Sequence, residues 1–208
     1  MTGSYHYAEH AAAPGAPLLF LLHGTGGDEN DLLALGRELV PEAHLVAPRG
    51  DVSEGGALRF FRRTGEGVYD MADLARATKK LNAFFAAHVE RLAPSAVAAL
   101  GYSNGANVLA SALFASPGPI DRAVLMHPLI PFAPAPQPAL ARVGVLLTAG
   151  RRDPISPAPL TLRLAEYFAA QGADTGVIWH EGGHELRPEE LAAAARFLRT
   201  GELPAPTA

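Results

Sequence analysis

Cysteine is absent from this 208-residue chain. That absence excludes disulfides, thiolate metal sites and a cysteine nucleophile. Charge is also sparse, at 18% of residues, and leans acidic: 17 Lys and Arg against 21 Asp and Glu give a net charge of −4. Nucleic acid is not the expected partner, because phosphate binding calls for a basic face. The densest basic spot, Arg59 to Arg63, is broken by two phenylalanines. No apolar run approaches the ~20 residues of a membrane helix, so membrane insertion is not expected. Met1 to His10 has neither a basic start nor an apolar stretch, so it does not read as a signal peptide, and a cytoplasmic location is the expectation.

What the chain has is core-forming material. It is 49% hydrophobic, with a mean hydropathy of +0.10. This suits one compact domain over residues 1–208, with 1–14 and 201–208 expected as flexible ends. Six short apolar runs read as strands: Leu18 to Leu22, Leu45 to Ala47, Ala96 to Leu100, Ala123 to Met126, Val143 to Thr148 and Thr175 to Trp179. Solid apolar runs closed by turn residues suit strands buried on both faces. Helical patterns alternate with them. Asn30 or Asp31 is the expected cap of a helix reaching Val40, and Asp70 of one carrying Leu74, Leu81, Phe84, Phe85, Val89 and Leu92. Asn104 to Ala115, Leu160 to Ala170 and Pro188 to Leu198 complete the set, and the Pro-rich segment 128–138 reads as a loop. Alternation of this kind predicts an α/β fold with a mostly parallel sheet.

Four motifs carry chemistry. Gly101-Tyr102-Ser103-Asn104-Gly105 is a G-x-S-x-G pattern between a strand and a small-residue helix. A turn that sharp needs small flanking residues and lifts the serine oxygen above the sheet. His23-Gly24-Thr25-Gly26-Gly27-Asp28 follows the first buried strand. A loop of this type supplies a backbone N–H to a tetrahedral oxyanion, with Thr25 as the candidate and Asn104 as the second donor. A dinucleotide fingerprint fails there, because the sixth position from Gly24 is Glu29. Asp153 lies just past the fifth strand, where an acid can orient a histidine, whereas Asp121 and Asp174 precede strands and fall at the opposite sheet edge. His184 follows the last strand, and the order Ser103, Asp153, His184 is that of an α/β-hydrolase triad.

His180-Glu181-Gly182-Gly183-His184 also spells the H-E-x-x-H zinc-peptidase string. That motif works on a helix, and two adjacent glycines, each costing ~1 kcal/mol in a helix, argue against one. No metal site is therefore expected, and His180 reads as a structural residue. His127 falls at the sheet edge as a pocket or structural residue, and His44 and His88 read as surface residues.

Together these segments, with Pro48-Arg49-Gly50 and Arg59-Phe60-Phe61-Arg62-Arg63, resemble the phospholipase/carboxylesterase branch of the α/β-hydrolases, including bacterial carboxylesterases and acyl-protein thioesterases. The resemblance runs from about residue 18 to 186. It implies a central sheet of about seven strands flanked by helices on both faces, without a large lid domain. It also implies triad roles for Ser103, Asp153 and His184 and oxyanion roles for Thr25 and Asn104. The expected activity is hydrolysis of small to medium carboxylic esters without any cofactor. Thioesterase or lysophospholipase action shares the same triad, and a non-catalytic binding protein on this scaffold is the non-enzyme alternative. His23, Arg59, Phe60, Phe61 and His127 are the expected pocket residues. A homodimer is compatible with the sequence, which shows no interface patch.

Overall fold

The computed structural model describes residues 5–204. Its elements in chain order are β1 (Tyr7–His10), β2 (Leu18–Leu22), α1 (Leu33–Leu39), β3 (His44–Pro48), β4 (Val52–Glu54), β5 (Ala57–Arg59), β6 (Arg63–Gly65) and β7 (Val68–Tyr69). Then come α2 (Met71–Leu92), β8 (Val97–Tyr102), α3 (Asn104–Ala115), β9 (Arg122–Met126), β10 (Gly144–Gly150), α4 (Ala158–Ala170), β11 (Asp174–His180) and α5 (Pro188–Thr200). Seven strands form one sheet in the order β1-β3-β2-β8-β9-β10-β11. All neighbours are parallel except the β1–β3 pair. The hairpins β4–β5 and β6–β7 stand apart from it, as an insertion between β3 and α2.

The strand period of two sorts side chains onto two cores. Leu18, Phe20 and Leu22 face one layer, with α2, α3 and α4, while Leu19 and Leu21 face the other, with α1 and α5. Asp70 caps α2 by accepting from the Asp73 N–H, as its position predicts.

Four expectations need correction. Residues 7–10, expected in a loose end, form the antiparallel edge strand, and Tyr5 is buried against Phe60 and Phe84. Helix α1 begins at Leu33, not at Asn30 or Asp31, because the Asp28 carboxylate accepts the Asn30 N–H and holds those residues in a turn. His44 is buried and bonded to Glu9 at 2.6 Å. His88 is buried too, since it follows Phe84 by one turn and shares its inward face; its Nδ1 meets the Phe84 carbonyl at 2.9 Å.

The β8–α3 junction positions the site. Ser103 has φ of +52°, a left-handed conformation costing about 1–3 kcal/mol in a non-glycine residue. The two glycines of the motif allow the chain to turn there. A Cβ on Gly101 would strike the backbone of Gly105, and one on Gly105 would strike the Leu22 carbonyl. Backbone cannot step aside as a side-chain tip can. Gly105→Ala is therefore expected to lower unfolding free energy by about 3 kcal/mol or more, measured by urea denaturation. A loss below 1 kcal/mol would contradict this tight contact.

Candidate active site

Strand ends and one helix start deliver the polar groups to the C-terminal edge of the sheet. Ser103 Oγ lies 2.8 Å from His184 Nε2, and His184 Nδ1 lies 2.6 Å from Asp153 Oδ2. The three predicted side chains thus meet in one line, although 50 and 31 residues separate them in sequence. Asp153 is buried, and its Oδ1 accepts the N–H groups of Ile155 and Ser156 at 2.8 and 2.9 Å. Burial opposes its charge, but donors from Ser156, His127 and His184 outweigh that and hold its pKa below the usual carboxylate value. Tyr102 fixes the His184 loop by donating to the His184 carbonyl at 2.7 Å.

Thr25 and Asn104 border the same cleft as Ser103 and His184. Asn104 opens α3, where a helix leaves its first N–H groups unpaired. The loop carrying Thr25 is pinned by Gly26 N–H to the Leu58 carbonyl at 2.9 Å, and Arg59 donates to Thr25 Oγ1 at 2.6 Å. Asn104 Oδ1 accepts the Phe60 N–H at 2.8 Å.

Of the five expected pocket residues, only Arg59 lines the cleft, which encloses about 300 Å³. His23 is buried beneath it: Nδ1 meets the Gly24 carbonyl at 2.7 Å, Nε2 accepts the Gly50 N–H at 2.9 Å, and the ring packs on Phe60. Burial lowers its pKa, in keeping with that neutral tautomer. Phe60 and Phe61 are both core residues: Phe60 packs on Tyr5 and His23, and Phe61 on Tyr69. His127 is fully buried behind Asp153 and touches both Asp153 and Glu190. The lining instead includes Arg63, Tyr69, Asn107, Leu129 and Ile155. Asn107 follows Ser103 by one helical turn and so shares its face, a signal present in the sequence. Tyr69 and Leu129 lie in a short hairpin and a loop, where no periodicity marks them.

Two groups of donors cluster closely enough to raise the question of a metal: His127, His180 and Glu190, and His127, Asp153 and His184, each within 4.8 Å. His180 Nδ1 accepts the Gly182 N–H at 2.9 Å, which places its proton on Nε2, facing Glu190 at 3.0 Å. A metal on Nε2 would drive that proton to Nδ1, against the Gly182 N–H. His184 has both nitrogens committed to Ser103 and Asp153. His180 and His184 lie at a strand end and in a loop, not on one helix face. The donor set therefore fits hydrogen bonding rather than zinc binding.

A mostly parallel sheet with a strand–turn–helix serine at its C-terminal edge defines an α/β-hydrolase. The family model described as phospholipase/carboxylesterase matches residues 5–201. MhqD of Bacillus subtilis strain 168, named as a hydrolase, is 41% identical over 184 residues, covering 88% of this chain and 92% of that protein. The crystal structure of Atu2452 from Agrobacterium tumefaciens is 53% identical, with a TM-score of 0.89 over 95% of this chain and 98% of that one. The Bacillus cereus carboxylesterase structure is 35% identical, with a TM-score of 0.84 over 91% of each chain. The chain belongs to the phospholipase/carboxylesterase family of hydrolases. Among the described residues, no helix is long and apolar enough to cross a membrane.

Proposed function

We propose that the protein is a serine carboxylesterase that cleaves small to medium esters through an acyl-enzyme on Ser103. The observation that carries this reading is the line Ser103–His184–Asp153, at 2.8 and 2.6 Å, opening into the cleft. His184 Nε2 takes the Ser103 proton as Oγ attacks the ester carbonyl. The Thr25 and Asn104 N–H groups receive the oxyanion. His184 then protonates the leaving alcohol, and the alkoxy C–O bond breaks. Water repeats the sequence on the acyl-enzyme, releasing the acid and restoring Ser103. No step requires a metal or organic cofactor.

Fluorophosphonate labelling followed by peptide mapping tests the nucleophile directly, with modification expected at Ser103. The cleft's volume sets the substrate size. In a series of p-nitrophenyl esters, acetate and butyrate are expected to give kcat/KM at least about tenfold above long-chain esters, whose tails outrun a ~300 Å³ site. A rising kcat/KM with chain length into the lipid range would overturn the size assignment.

A further inference from the structure

Behind Asp153 lies a second histidine, which the proposed ester chemistry leaves unused. His127 Nδ1 is 3.0 Å from Asp153 Oδ2, and its Nε2 is 3.0 Å from Glu190 Oε2. All three side chains are completely shielded from solvent. A neutral imidazole has one N–H and can satisfy only one of the two carboxylates. Its other nitrogen would turn a lone pair toward an oxygen at hydrogen-bond distance, inside a low-dielectric interior. Either His127 carries two protons, or one of the two carboxylates carries one.

The remaining contacts favour the first state. Glu190 Oε1 accepts the Arg187 N–H at 2.8 Å, and His180 Nε2 lies 3.0 Å from it without the alignment of a hydrogen bond. Asp153 receives two backbone N–H groups on Oδ1 and two imidazoles on Oδ2. Donors surround both carboxylates, which favours their charged forms. The titratable groups facing His127 are Asp153 and Glu190 in contact, with His184, His180 and Tyr102 rings at 5.1, 5.4 and 6.0 Å. Burial opposes charge on His127, but the two carboxylates outweigh it and raise its pKa, while that of Glu190 is lowered.

We propose that His127 is a positioning residue, held as an imidazolium between Asp153 and Glu190, that anchors Asp153 and sets a buried positive charge beside His184. The proposal rests on the triad reading. The His127 charge lies 5.1 Å from the His184 ring, on the far side of Asp153 from solvent.

The test is Glu190→Gln. Its amide can donate to His127 Nε2, leaving His127 neutral with its Nδ1 proton still on Asp153. The acid limb of the kcat/KM profile is expected to move up by about half to one pH unit, since the site loses the cation in contact with Asp153. In wild-type protein with 15N-labelled histidine, NMR is expected to show both His127 nitrogens protonated at neutral pH, and only one in Glu190→Gln. Circular dichroism and fluorophosphonate labelling check that the variant is folded. An unmoved acid limb, or a wild-type His127 with one protonated nitrogen, would overturn the proposal whatever the variant's stability. Ser103→Ala separates the two readings: its loss of activity beside an unmoved Glu190→Gln profile sinks only the His127 role, whereas its survival sinks the triad.

Discussion

Ser103→Ala is expected to lower kcat for p-nitrophenyl butyrate by about 10⁶-fold, the size of the effect of removing the serine in subtilisin. That equals about 8 kcal/mol of transition-state stabilisation. KM is expected to change little, because the cleft walls, with the proposed oxyanion donors Thr25 and Asn104, remain. Folding is expected to survive, since alanine and serine both carry a Cβ and meet the same backbone strain at φ +52°. The variant loses one hydrogen bond, to His184, which is only partly buried. The kinetic loss therefore reports chemistry and not collapse. Activity that persisted in this variant but disappeared with EDTA would remove the serine reading and return attention to His180 and His184.

Asp153→Asn should cost about 10⁴-fold in kcat, as the equivalent change does in serine proteases. Here the local contacts give the reason. Oδ1 accepts two backbone N–H groups, so an asparagine must keep its carbonyl on that side. Its NH₂ then faces the Nδ1 atoms of His184 and His127, both of which are placed to donate. His184 can relieve the clash by moving its proton to Nε2, the atom aimed at Ser103. A base that already carries a proton cannot take one. The opposite amide orientation sets NH₂ against Ile155 and Ser156 and is no better. A rate within tenfold of wild type would show that Asp153 does not set the His184 tautomer.

The central sheet was legible because its parallel strands are buried on both faces. Leu18 to Leu22 and Ala123 to Met126 carry almost no polar residue, and turn residues close each run. Strand β1 gave no such signal. Tyr7-Ala8-Glu9-His10 is largely polar and sits on an edge, and its register with Leu45 to Pro48 depends on a pairing some forty residues away. The meeting of Ser103, Asp153 and His184 was legible from order and spacing, because each of the three follows a strand on the same side of the sheet. The pocket walls were not. Arg59 to Arg63 looked like a lining segment, yet Phe60 and Phe61 turn into the core, and only Arg59 and Arg63 reach the cleft. Glu190 was hidden for another reason. An acidic residue in the first turn of a helix is commonplace, since it meets the helix dipole, and nothing local marks its contact with a histidine 63 residues away.

Glu190 also joins two properties that proteins usually keep separate. One of its oxygens closes the first turn of α5 on the Arg187 N–H, while the other holds His127. Fraying at that helix end, an early and reversible event in most domains, would here release His127 and slacken Asp153 as well. Heat inactivation should then follow the opening of this one turn instead of global melting. The C-terminal helix would act as the protein's fuse: activity stops while the sheet is still intact, and returns when the turn closes again.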